Sequence, residues 1–372
     1  ASATRFYWSA NLTLDASDQL IGSRSVAPLA AGALASFTGT ITVPTSLTAG
    51  SYYLIAQADG AGQVSETTET NNTRASAAIK VGPDLIVTTV SVPSSGAAGA
   101  TIAATDTTKN QGAGPAAASS TGFYLSPNLT IGPDDKLIGS RTVGGLAPNG
   151  TSTGPALLQI PGDTLPGSYY VIARTDWNDT VVEPTETNND RSSSVIRIGG
   201  DLAVTSVAAS SPVRAGGPIT VTETTSNQGA APIGESTTAF YLSTNTVYDA
   251  SDQFLGNRTV GALAVSQSST AQIQLIVPAG TAAGMYYVIG VADANGAILE
   301  SLENNNTRVG AAVHVGPDLI VSALMAPSSA TAGTSIAITD TTRNQGGDTA
   351  PGSRTMFYLS SNLSLDAGDQ LL

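Results

Sequence analysis

Apolar and polar residues alternate along residues 84–92, Asp-Leu-Ile-Val-Thr-Thr-Val-Ser-Val. Alternation with period two is the pattern of a half-buried β-strand. Pro93 and the Ser-Ser-Gly after it end the segment. Further strands are predicted over 101–109, 118–126, 136–143, 152–160, 167–176 and 193–198, punctuated by an Asn-Gln-Gly turn, a Gly-Pro-Asp-Asp loop and Pro161. No segment carries the 3.6-residue apolar period of an amphipathic helix. Short strands separated by Gly/Pro turns predict an all-β domain. Seven in about this length predict an immunoglobulin-like β-sandwich. Phe123, Leu125, Tyr170, Ile172, Val195 and Ile198 are expected near its core.

The same pattern returns every 117 residues without drift: Asp84-Leu85, Asp201-Leu202 and Asp318-Leu319 are in register, as are Phe6, Phe123, Phe240 and Phe357. Asn110-Gln111-Gly112 recurs at 227–229 and 344–346, and Asn71-Asn72 at 188–189 and 305–306. Residues 83–199 and 200–316 read as complete repeats, residues 1–82 as the back part of one and residues 317–372 as the front part of another. Two readings of the part-repeats stand: a piece of a longer array, or ends that complement each other between molecules by strand exchange. The junctions are Gly82-Pro83-Asp84, Gly199-Gly200-Asp201 and Gly316-Pro317-Asp318, too short to act as free hinges. A stiff rod of beads is the expectation.

Composition narrows the function. The net charge is −13, and the 15 Lys and Arg residues are scattered. No basic stripe exists for phosphate contacts, which argues against a nucleic-acid partner. There is no cysteine, hence no disulfide, thiolate nucleophile or Cys-ligated zinc. No apolar run is long enough to span a membrane as a helix. The one histidine, His314, shares its repeat position with Lys80 and Arg197, which predicts a solvent-facing residue. No triad can be built around it, so no enzyme is expected.

Two acidic loops hold the candidate chemistry. Between the sixth and seventh strands stand Asp59, Glu66, Glu69, Asn71 and Asn72, repeated as Asp176, Glu183, Glu186, Asn188 and Asn189 and as Asp293, Glu300, Glu303, Asn305 and Asn306. Carboxylates and amide oxygens are the hard ligands that Ca2+ prefers. The bland alternative is that the Asx side chains cap their own turn and the glutamates are solvated. The second loop follows the third strand: Asn11, Asp15 and Asp18; Asn128, Asp134 and Asp135; Asn245, Asp249 and Asp252; Asn362, Asp366 and Asp369. It does not fit the EF-hand pattern, and a β-turn with Asp at its start explains most of it. Trp8 stands at the Leu125 position and is expected in the core, whereas Trp177 lies at a loop tip as a possible exposed contact. Asn-x-Ser/Thr sequons at Asn11, Asn71, Asn128, Asn149, Asn178, Asn257, Asn305 and Asn362 leave room for attached glycans.

The segments PDLIVTTVSVPSS, TDTTKNQGAG, FYLSPN, LPGSYYVIARTD and VVEPTETNND, with their variants around Asp201 and Asp318, resemble the bacterial cell-adhesion-related repeat called CARDB. The resemblance covers nearly the whole chain. It implies immunoglobulin-type modules of large secreted or cell-surface bacterial proteins and transfers no catalytic residue. The function expected first is a structural component of an extracellular filament, matrix or surface stalk, self-associating or joined to neighbouring repeats of a longer chain. The alternative is an adhesin region that recognises a carbohydrate or protein. A concentrated aromatic patch or one divergent repeat would favour the alternative, and the sequence shows neither clearly.

Overall fold

The computed structural model describes residues 1–372 as strands and loops with no helix, so none is present that is long and apolar enough to cross a membrane. The chain divides into two compact units, residues 1–164 with 168–196, and residues 165–167 with 197–372.

The second unit contains the 200–316 repeat whole. Its seven strands are Leu202–Ala209, Pro218–Asn227, Ser236–Ser243, Gln253–Val260, Ser268–Ile276, Gly284–Val291 and Thr307–Val315. The first, second and fifth make one antiparallel sheet, and the fourth, third, sixth and seventh make the other, in those orders. This is the strand arrangement of an immunoglobulin-like sandwich. Alternate residues of the second strand, Ile219, Val221, Glu223, Thr225 and Asn227, are buried, as period two requires. Phe240, Leu242, Val288 and Val313 from the facing sheet close over Ile219 and Val221 to make the main core.

The 83–199 repeat follows the same plan. Leu85–Ser91, Thr101–Asn110 and Thr151–Gln159 form one sheet, and Lys136–Val143, Ser119–Ser126 and Gly167–Thr175 lie together in the other. Phe123, Leu125, Ile172 and Ile198 are buried as the alternation predicts. Tyr170 and Val195 are only half-buried; Val171, Ala173 and Ile196 take the interior places. The reason lies in the last strand, which is split into Asp190–Ser192 and Ile196–Ile198. Ser193 bridges the break, its hydroxyl accepting from Val171 N at 3.0 Å and donating to Ser194 O at 2.6 Å; the next repeat, with Gly310 at this position, carries a register shift in the same place, between Tyr287 and Ile289. Trp8 is buried, His314 is exposed, and Trp177 is half-buried against the backbone of Gly122.

The part-repeats show which strands depend on which. In residues 1–82 the strands are Ser2–Ser9, Gln19–Val26, Gly50–Gln57, Thr73–Ala75 and Ile79–Val81, the members of a single sheet. Residues 34–42, which align with the fifth strand, form no strand. In residues 317–372 the first and second strands persist as Leu319–Met325 and Thr339–Asn344. Leu319, Val321 and Leu324 there are exposed.

A buried ion pair ties the two sheets in both complete repeats. Arg141 on the fourth strand grips Asp106 on the second through Nε–Oδ1 (2.6 Å) and Nη2–Oδ2 (2.8 Å). Arg258 holds Glu223 through Nε–Oε2 (2.6 Å) and donates to Ser269 Oγ and O on the fifth strand. Both carboxylates are fully buried. The network continues through Thr108 to Thr121, and through Thr225 to Thr238, on the third strand of the facing sheet. Removing one partner of a buried pair strands a charge, at a cost of about 3–5 kcal/mol. Arg258→Met is therefore expected to destabilise its unit by about that amount in urea unfolding, and Arg258→Met with Glu223→Leu by much less; equal losses would show that the pairing is not the relevant term.

Candidate functional site

The residues singled out by the repeat meet where the chain passes from one repeat into the next. The crossing peptide enters a buried setting, and its N–H groups need acceptors there. Asp84 N donates to Asn110 Oδ1 (3.1 Å), and Leu85 N to Glu183 Oε1 (3.0 Å). Gln111 N donates to Asp84 O (2.7 Å), and Gly114 N to Gly82 O (2.9 Å). The Asp84 carboxylate is held from two sides, by Gln111 Nε2 (3.0 Å) and Asn188 Nδ2 (2.8 Å). Asn110 is completely buried and uses its amide fully: Oδ1 also accepts from Gly112 N, while Nδ2 donates to Gly114 O and Leu146 O. Gly112 is required by space, since a Cβ there would overlap Asp84 N, Gly82 O and Pro83 C.

The clasp recurs. Asp201 N donates to Asn227 Oδ1 (3.2 Å), Leu202 N to Glu300 Oε2 (2.7 Å), and Asn305 Nδ2 to both Asp201 oxygens (3.2 and 3.1 Å). Asp318 N donates to Asn344 Oδ1 (3.0 Å), Gln345 N to Asp318 O (2.8 Å) and Gln345 Nε2 to Asp318 Oδ2 (2.7 Å). Gly229 and Gly346 sit against the junction backbone as Gly112 does.

The first acidic loop supplies half of this clasp. Asp59, Asp176 and Asp293 adopt positive φ of 44°, 47° and 42°, a conformation that Asp tolerates. Their carboxylates fold the loop by accepting N–H groups four and five residues on: Gln63 and Val64, Thr180 and Val181, Ala297 and Ile298. Glu69, Glu186 and Glu303 accept from Glu66 N, Glu183 N and Glu300 N at 2.9, 3.0 and 2.8 Å. Glu183 and Glu300 reach the first strand of their own repeat, 98 residues back. Glu66 and Asn71 have no such strand within residues 1–82 and are exposed. No three His, Cys, Asp or Glu side chains are grouped so as to hold a metal ion by themselves.

The second acidic loop is an exposed series of Asx turns. Thr13 N donates to Asn11 Oδ1, Ser17 N to Asp15 Oδ1 and Asp15 N to Asp18 Oδ2, with matching bonds at 245–252 and 362–369. In the 83–199 repeat the turn is closed by Asp135 accepting from Gly132 N, rather than by Asp134.

The sequence named the Asp-Leu and Asn-Gln-Gly landmarks but did not pair them. The signal was their fixed spacing of 26 residues, which two elements touching in every copy must keep. The Arg141–Asp106 pair was also missed, because a single Asp in a Thr-rich strand reads as an outward face.

Burial pushes the Glu183 and Glu300 carboxyls up to about 8; the Leu85 and Leu202 N–H groups oppose this, and neighbouring carboxylates reinforce it. A carboxyl raised in the folded state holds its proton there more tightly than in the unfolded chain. Its contribution is full below the ordinary value of 4.5 and is lost as pH rises to about 8. In a chelating buffer, wild type is expected to lose stability between about pH 5 and pH 8.5. The Glu183→Gln/Glu300→Gln variant should lose distinctly less, as read by urea midpoints at the two pH values.

The CARDB family model matches residues 7–76, 82–193, 199–309 and 316–370. No curated protein is found to be similar. Among solved structures, the CARDB domain of a Pyrococcus furiosus protein, crystallised in complex with di-metal ions, is 20% identical with a TM-score of 0.25, covering 32% of this chain and 89% of that one. Red sea bream transglutaminase is 13% identical with a TM-score of 0.35, covering 62% and 31%. A Listeria innocua β-glucosidase is 16% identical with a TM-score of 0.23, covering 32% and 16%. With four successive matches over nearly its whole length, this chain of immunoglobulin-like sandwiches belongs to the CARDB family as a tandem-repeat member.

Proposed function

We propose that the chain is a non-catalytic structural segment of a bacterial extracellular or cell-surface protein, a stalk, matrix or filament element whose partners are neighbouring repeats of its own kind. CARDB repeats fit a surface or adhesion-related role. The observation that carries the finer reading is the clasp. Each junction is one to two residues of Gly or Pro, and its backbone and Asp side chain are hydrogen-bonded into the following repeat. A junction held in this way resists bending, which is what a spacer requires. Small-angle scattering of the full chain tests it. Gly112→Ala/Gly229→Ala/Gly346→Ala, which pushes each turn off its junction, should shorten the maximum dimension and broaden the distance distribution while strand content by circular dichroism persists. Wild type that already scatters as a flexible chain would sink the reading.

One observation favours the adhesin alternative. In the 200–316 repeat, Tyr241, Tyr248 and Phe254 form an aromatic cluster, with ring centroids 4.7 and 5.6 Å from that of Tyr241. Tyr248 and Phe254 are exposed, beside exposed Val247. The other copies have Ile131 and Leu137, Leu14 and Leu20, or Leu365 and Leu371 at the Tyr248 and Phe254 positions. Exposed rings flanked by Asn and Asp suit a sugar face. On this reading a glycan array binds wild type, and Tyr248→Ala/Phe254→Ala weakens that binding about tenfold or more, some 1.4 kcal/mol. An array that binds nothing removes the alternative.

A further inference from the structure

The clasp leaves buried oxygens unpaired, and all of them are acceptors. Glu183 is 6% exposed and Asn189 4%; Glu300 is 3% and Asn306 9%. Glu183 spends Oε1 on Leu85 N, but its Oε2 has no hydrogen-bond partner, nor have Oδ1 of Asn188 and Oδ1 of Asn189. In the next repeat, Oδ1 of Asn305 and Oδ1 of Asn306 are left in the same way. The amide orientations are fixed by their donors. Asn188 Nδ2 points to Asp84, Asn305 Nδ2 to Asp201, and Asn306 Nδ2 to Glu300 Oε1 at 3.3 Å. Turning any of these amides would set oxygen against carboxylate. A buried acceptor without a donor is costly, and here the deficit falls beside carboxylates in both complete repeats.

The charges acting on Glu183 are those of Glu186, Asp176 and Asp84, and on Glu300 those of Glu303, Asp293 and Asp201; all are negative. The ammonium of Lys80 is bonded to the Thr185 hydroxyl, and Arg197 acts on Asp201. What these unpaired oxygens lack is a small positive centre among the carboxylates and amides. Hard divalent cations of the calcium class take that ligand set and complete their shell with water. Because the acidic side chains are not grouped in threes, the amide oxygens are essential to the shell.

We propose that each complete repeat binds one calcium-class cation beside its junction, through Asp84, Glu183, Asn188 and Asn189 in one and Asp201, Glu300, Asn305 and Asn306 in the next. This does not depend on the spacer reading, since a binding site survives whether or not the junction bends.

The chelator-treated chain of residues 1–372 is titrated with Tb3+, exciting the indole band, because Trp177 directly follows Asp176 in the loop. The expected result is sensitised luminescence displaced by Ca2+, together with a Tm raised by Ca2+. Glu183→Gln/Glu300→Gln keeps an acceptor for the first strand; its NH2 replaces the unpaired Oε2 of Glu183, and at 300 it replaces Oε1, so that Asn306 turns its amide and its oxygen accepts. It should fold, match or exceed wild-type Tm in chelator, and bind at least about tenfold more weakly. Should it not fold, Asn189→Ser/Asn306→Ser gives the same readout. The proposal is overturned if wild type ignores millimolar Ca2+. It is equally overturned if binding survives these variants but is lost in Asp15→Asn/Asp249→Asn/Asp366→Asn, which puts the ion in the exposed turns. A stability that follows pH but not Ca2+ assigns the unpaired oxygens to a shared proton and overturns it too.

Discussion

Two backbone N–H groups govern this architecture. Where the chain crosses between repeats, the amides of Asp84 and Leu85 point into a buried setting, as those of Asp201 and Leu202 do. Each buried donor left unmade costs about 1–3 kcal/mol, so each crossing needs two acceptors in fixed places. One comes from the turn after the second strand, the other from the loop after the sixth. Both elements return to the same spot in each complete repeat, and the spacings of 26 residues from Asp84 to Asn110 and 98 from Leu85 to Glu183 recur unchanged in the next.

The same constraint explains the distribution of the few charges. The carboxylates of the first acidic loop mostly accept backbone N–H groups, folding their own loop or capping the next strand. Those on the second strand, Asp106 and Glu223, are neutralised inside the sandwich by Arg141 and Arg258. A polar tie between sheets contributes less to net stability than an apolar contact of equal volume. It does select one pairing of the sheets, since any other leaves a buried guanidinium and carboxylate apart.

The fold was legible because its signals are local. Period-two alternation located the strands, and the recurrence of Phe123 as Phe240 located the core. Errors arose where an irregularity interrupts the alternation, as the break after Ser192 does in the seventh strand, leaving Val195 half-buried and Ile196 inside. The site was half legible. The acidic loop was found, but its glutamates were weighed only as ligands or as solvated groups. Glu183 is buried rather than solvated, and it caps a strand 98 residues away, a role that neither reading gave it. A partner so remote in sequence leaves no periodic trace. Only the common period of Asp84, Asn110 and Glu183 carried the information, and several different contacts would have produced that period.

Positions that recur in every copy and positions that diverge therefore do separate work. Asp84, Asn110, Gly112 and Asn188, with their counterparts, answer to the backbone of the junction and cannot vary without stranding a donor or overlapping a neighbour. Tyr241, Tyr248 and Phe254 satisfy no such demand; Leu and Ile fill the last two positions elsewhere in the chain at no cost to the strands. An array built on this plan can change what a repeat displays on the rim near the third and fourth strands while its junctions stay fixed. The scaffold and any recognition surface are separable, and the separation follows from where the buried hydrogen-bond donors lie.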